Sequence, residues 1–137
     1  MNPAILFTVL TFAACTQHGS EVSKPRPATV EKSLVSDGTP VTTLTAEARK
    51  RLGIESNIFQ KNSTGVRTFP ISSLLYDNSG TSWVFVEPVP LKFHRERIQI
   101  LHTQNQLIEV NADFSDRIPV VVVGAAELNG AESGVGK

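Results

Sequence analysis

The chain has 137 residues, of which 13 are Lys or Arg and 13 are Asp or Glu, so its formal net charge is zero. That length suits one domain with a tail, and the neutral balance excludes the basic footprint on which nucleic-acid binding rests. The single cysteine, Cys15, excludes an intramolecular disulfide and a cysteine-built zinc site, and the single methionine, Met1, excludes a methionine-rich copper or silver site.

The chain opens with a largely apolar run, Ala4 to Ala14, that ends in Ala13-Ala14-Cys15. Eleven residues are too few for a spanning helix, which needs about 20, and match the apolar core of a signal peptide. Two small residues ahead of the only cysteine resemble the lipobox of bacterial lipoproteins. The resemblance implies a signal peptide over 1–14 and a diacylglycerol-modified Cys15 as the mature N-terminus. Two features depart from that pattern: residues 1–14 hold no Lys or Arg, and Phe12 stands where Leu is usual. From Thr16 to Thr43 the chain is rich in Ser, Thr, Lys and Pro, including Lys24-Pro25-Arg26-Pro27. Such a stretch buries too little apolar surface to fold, so residues 15–42 are expected to form a disordered tether with no stable structure before about Val41.

A folded domain is expected over 43–137. Thr45 to Gly53 reads as a short helix: Thr45 caps it, Glu47 favours its N-terminal end, Lys50 and Arg51 its C-terminal end, and Gly53 supplies a left-handed stop. Strands are expected over 54–60, 64–69, 71–76, 81–87, 91–101, 107–112 and 118–123. Asp77-Asn78-Ser79-Gly80 and Thr103-Gln104-Asn105-Gln106 mark turns. In Thr81–Glu87 the residues Trp83, Phe85 and Glu87 alternate with Val84 and Val86, so both faces carry apolar groups, which suggests a sandwich or barrel. In 91–101 the apolar side changes between Phe93 and Ile98, which predicts a bulge or bend near Arg95. The fold class expected is mainly β: a small antiparallel β-barrel of about six or seven strands with one short helix.

Four stretches in order resemble the periplasmic adaptor subunits (membrane fusion proteins) of resistance–nodulation–division (RND) efflux pumps. They are Leu44–Glu55 with its Leu52-Gly53-Ile54 end, Phe69–Gly80 followed by Thr81-Ser82-Trp83-Val84-Phe85-Val86, Pro88–Ile98, and Val120–Leu128 with the Gly130–Lys137 tail. The second and fourth belong, in that family, to the membrane-proximal domain that sits on the transporter. The resemblance spans about 43–137 and implies an adaptor end-domain on a lipid anchor. The family's helical hairpin and split lipoyl-like domain have no counterpart here. Ser133 replaces an aromatic residue of the tail, and Asp116-Arg117 a Gly-Asp turn.

No catalytic residues, metal ligands or cofactor are expected. Ser72-Ser73 sits in no nucleophile elbow, and Gly130–Gly136 lacks the strand–loop–helix setting of a phosphate cradle. His94 and Glu96 are neighbours on one strand face, but His102 lies about 26 Å further along an extended strand, too far to complete a metal site. Lys92, Arg95 and Arg97, with Glu96, form a charged stretch. It fits either a solvated strand face or a docking surface for a transporter or lipid head groups. The function expected is a non-catalytic adaptor or accessory subunit of an RND-type efflux system, facing the periplasm. It would be lipid-anchored to the inner or outer membrane and partnered with an inner-membrane transporter or a longer adaptor. The alternatives are a periplasmic module binding a small ligand or metal, and a truncated adaptor remnant without function.

Overall fold

Large apolar groups on both faces of Trp83–Glu87 require cover on both faces, and the computed structural model supplies it as two hydrophobic cores. The structure describes residues 28–32, of whose last two only the backbone is considered, and 38–134. The expected signal peptide and Cys15 lie outside the described residues.

The elements are β1 (Ala28–Lys32), β2 (Pro40–Leu44), α1 (Ala46–Leu52), β3 (Glu55–Asn57), β4 (Arg67–Pro70), a 3-10 turn (Ile71–Ser73), β5 (Leu75–Tyr76), β6 (Ser82–Val89), β7 (Lys92–Gln104), β8 (Leu107–Ala112), β9 (Val120–Val123) and α2 (Ala125–Glu132). Pairing runs β1-β2-β7-β6-β9-β3, with β5 on β6, β8 on β7 and β4 on β8, all antiparallel. The mainly-β antiparallel architecture read from the sequence is therefore present, with nine strands in one sheet. No strand pairing closes that sheet into a barrel among the described residues. Between the 3-10 turn and β9 the link is a side chain, Ser72 Oγ donating to the Val122 carbonyl at 2.7 Å.

The first core gathers Leu44, Ala48, Ile54, Phe85, Phe93, Val121, Ala125 and Leu128. The second gathers Phe69, Val84, Val86, Ile98, Ile108, Val110, Ala112 and Val120. Strands β6, β7 and β9 supply both, because successive residues point to opposite faces. This removes the bulge expected near Arg95. The register Phe85↔Arg95 and Val84↔Glu96 runs through that position without a shift. Phe93 faces the first core and Ile98 the second, so the apolar side changes because the covering layer changes. The irregularities lie elsewhere, between Val86 and Val89 in β6 and between Ile100 and His102 in β7.

Helix α1 follows its sequence signals. The Thr45 side chain accepts from the Ala48 N–H at 3.1 Å, Gly53 closes the helix at φ 66°, and Ala48 is buried. Three further expectations fail. The strand β1 pairs with β2 inside the stretch read as a tether, Ala28 opposite Leu44. The stretch 71–76 is a 3-10 turn and a two-residue strand: the Leu74 N–H closes the turn on the Ile71 carbonyl at 3.1 Å and Ser73 Oγ bonds back to the Pro70 carbonyl at 2.7 Å. A second helix, α2, follows β9, held by Ala125 and Leu128 in the first core.

The β9–α2 junction turns at Gly124, φ 79°, where an added Cβ would lie 2.6 Å from Ile54 Cδ1 and 3.1 Å from the Leu52 carbonyl oxygen. A left-handed backbone alone costs a side-chain-bearing residue about 1–2 kcal/mol, and this contact adds to it. Gly124→Ala is therefore expected to lower unfolding stability in urea by at least that amount.

Candidate functional site

Strand β7 carries Lys92-Phe93-His94-Arg95-Glu96-Arg97, and period-two alternation divides the expected docking residues between faces. Arg95 and Arg97 share the face of Phe93, opposite Phe85 and Trp83 of β6, whereas Lys92 shares the face of His94 and Glu96. Lys92, Arg95 and Arg97 thus do not make one patch.

Each has a different setting. Lys92 is exposed at the start of β7. Arg95 is engaged within the chain: its Nε lies 2.9 Å from Oε2 of Glu132 in α2, and its guanidinium lies 5.7 Å from the Trp83 ring centre. The Glu132 side chain is only 5% exposed, and its Oε1 has no hydrogen-bond partner among the described residues. Burial pushes its carboxyl above the ordinary glutamate value, with Arg95 pulling the other way. Arg97 is exposed and makes no ion pair among the described residues. It borders a shallow groove of about 530 Å³ with Gly80, Thr81, Ser82, Ile98, Gln99 and Ile100.

The far wall of that groove is set by a turn. Asp77 Oδ1 accepts from the Ser79 and Thr81 N–H groups at 2.8 and 2.9 Å and from Ser79 Oγ at 2.6 Å, while Oδ2 accepts from Trp83 Nε1 at 3.0 Å. The Ser79 hydroxyl and the other donors hold the Asp77 carboxyl well below the ordinary aspartate value. One carboxylate therefore fixes the loop beside Arg97 and the indole beneath Arg95.

On the other face His94 Nε2 and Glu96 Oε1 are 2.9 Å apart, the neighbouring placement expected. His102 is exposed further along the same unbroken strand, and no group of three or more metal-ligating side chains occurs among the described residues.

Two charged clusters, each with a buried member, escaped the reading from sequence. Arg67 in β4 has no exposed surface. It donates to the carbonyls of Phe59 (3.2 Å), Ala112 (2.8 Å) and Phe114, pairs with Asp116 and lies 4.4 Å from the Phe114 ring centre. Arg49 of α1 pairs with Glu87 of β6 and donates to the Ile54 carbonyl at 3.3 Å, and Glu87 also accepts from the Leu91 N–H at 3.0 Å. Arg67 shares a strand face with Phe69, so a cation at a core position was visible, but its partners lie up to 49 residues away.

No protein-family model, curated protein or solved structure matches this chain.

Two outcomes follow from these contacts. Arg67→Met leaves the Phe59, Ala112 and Phe114 carbonyls without their donor, and a buried polar group left unpaired costs about 1–3 kcal/mol, so the variant is expected to lower unfolding free energy by at least that amount. Asp116 is 46% exposed and an amide oxygen in its place still accepts from Arg67, so Asp116→Asn is expected to cost less than Arg67→Met. Urea titration of both variants tests the contrast. The Asp77 carboxyl titrates lower in the folded chain than in the unfolded one. Its contribution is thus present above the ordinary value of 3.8 and lost as pH falls below it. Melting temperature should drop below that pH more steeply in the parent chain than in Asp77→Asn.

Proposed function

We propose that the chain is a non-catalytic envelope lipoprotein, an adaptor or accessory subunit that docks on the transporter of an RND-type efflux system. One observation carries this reading. The four stretches that resemble the adaptor family each send residues into the first core: Leu44 and Ala48 from the first, Phe85 from the second, Phe93 from the third, Val121 and Leu128 from the fourth. They belong to one packed unit.

The mechanism is docking without chemistry. The domain presents a surface to an inner-membrane transporter or to a longer adaptor, and a lipid on Cys15 keeps it at the membrane face, raising its effective concentration there. No helix among the described residues is long and apolar enough to cross a membrane, and the proposed anchor is the lipid. Of the charged stretch, Arg97 and Lys92 remain available to a partner, while Arg95 is held by Glu132.

The test uses a tag beyond Lys137, light cross-linking of intact cells and identification of what co-purifies from the membrane fraction. An inner-membrane efflux transporter or a longer adaptor is the expected catch. Recovery of neither, from a well-expressed and lipidated chain, overturns the docking reading and favours a ligand-binding module or a remnant. Cys15→Ala is expected to leave the chain unprocessed and without lipid. Unchanged size and unchanged membrane retention would refute the lipoprotein reading.

A further inference from the structure

Arg95 and Arg97 lie two apart on one face of β7, about 7 Å from each other along the strand, and the residues opposite them, Phe85 and Trp83 of β6, share that face. Arg97 is exposed and makes no ion pair among the described residues. Asp113, which lines a smaller groove with Arg97, does not pair with it. Arg95 is covered by Glu132, the last residue of α2.

Glu132 is poorly seated. Its side chain is 5% exposed, yet Oε1 has no hydrogen-bond partner among the described residues, and the Arg95 Nε that lies 2.9 Å from Oε2 makes no hydrogen bond of its own. The Thr42 hydroxyl, opposite Phe93 on the same face, is likewise buried without a hydrogen bond among the described residues. A carboxylate at a helix C-terminus also meets the negative end of the helix, and the last turn of α2 holds no basic residue to offset it. Burial opposes the charge further. Little else holds that turn: the buried residues of α2, Ala125 and Leu128, both lie upstream of it, and Gly130 lowers the helix propensity by about 1 kcal/mol relative to alanine.

We propose that Glu132 is an internal stand-in for a partner's carboxylate, and that an extended acidic segment of the partner displaces the last turn of α2 and binds across Arg95 and Arg97. A displaced Glu132 regains its water. Arg95 then takes the incoming carboxylate through two parallel N–H···O bonds, which its contact with Glu132 lacks. Carboxylates on alternate residues of an extended segment repeat at about 7 Å, the spacing of the two cations, so the face fits an acidic–x–acidic pattern. The partner's identity rests on the docking reading above, whereas the exchange of carboxylates does not.

Trp83 is the only tryptophan, and its ring lies 5.7 Å from the Arg95 guanidinium, so its emission reports on that cation. The probe is a capped peptide Thr-Glu-Thr-Glu-Thr, with Thr-Gln-Thr-Gln-Thr as the control. Titrated into the full chain, the acidic peptide should shift Trp83 emission saturably, and the control should not. Amide exchange at 130–133 should quicken with the acidic peptide while that of β6 stays as it was. Binding should tighten about tenfold in Glu132→Ala, the gain expected where an internal competitor holds about nine-tenths of the sites. Glu132→Gln, which keeps the size of the side chain, should tighten it in the same direction, and Arg95→Gln should abolish it. An affinity that neither Glu132 variant changes overturns the displacement. No saturable shift in the parent and both Glu132 variants, or binding that survives Arg95→Gln, overturns the site. A transporter recovered by cross-linking without peptide binding strikes this exchange and leaves the docking reading standing, and peptide binding without a transporter does the reverse.

Discussion

A guanidinium with no exposed surface organises one end of the sheet. Arg67 sits where β4 meets β8, and an unpaired charge there would cost several kcal/mol. It is offset by three main-chain carbonyls, one carboxylate and the face of Phe114. Those partners come from the loop ahead of β4, from the last residue of β8 and from the stretch after it, so the cation sets where both segments run. Phe59 meets Phe69 edge-on at 5.1 Å and Phe114 stacks on Phe69 at 6.4 Å, closing an apolar wall around the polar cluster. The segment so fixed leads through Asp116-Arg117 into β9. Strand β9 in turn supplies Val121 to the first core and Val120 to the second.

Two cores on opposite faces of shared strands explain why so short a domain tolerates long strands. Strand β6 is covered on both sides, and β7 changes its covered side along its length. In the first core α1 and α2 provide the cover. In the second, β4 and β8 fold over. Arg49 and Glu87 sit at the margin of the first core, joining α1 to β6, and Arg49 also lies 5.8 Å from the Phe93 ring centre. Each core thus has one cation at its margin, Arg67 fully buried and Arg49 partly exposed. Both cations are tied to carbonyls as well as to a carboxylate, which limits the desolvation penalty of burying them.

What was legible in the sequence was local. The Thr45 cap, the Gly53 stop and the Asp77–Gly80 turn rest on side chains that bond within a few residues of themselves. The β7–β8 hairpin was marked by its polar turn, where Asn105 and Gln106 take φ 50° and 64°. The two-faced burial of β6 followed from the apolar groups on both of its faces. What could not be read depends on distant partners. Strand β1 exists through its pairing with β2, and its own composition argues against structure. Helix α2 buries only Ala125 and Leu128, too little to give a helical period. At the candidate site, alternation in the sequence already separated Lys92 from Arg95 and Arg97. That Glu132 occupies Arg95, leaving Arg97 as the available cation of that face, needed the packing of α2 on the sheet.

The two ends of this face respond to protons in opposite senses. Asp77 is ionised at little cost because donors surround it, so its turn holds firmly at neutral pH. Glu132 is ionised at a cost, because burial opposes its charge and Arg95 answers only one of its oxygens. A group whose folded pKa is raised lends stability that is full below its unfolded value and is lost as pH rises through the folded one. Neutral pH therefore holds the groove wall at its strongest and α2 at less than its full stability. Trp83 stands between them, bonded to Asp77 and lying under Arg95, so the turn that walls the groove and the helix that holds Arg95 meet at one indole.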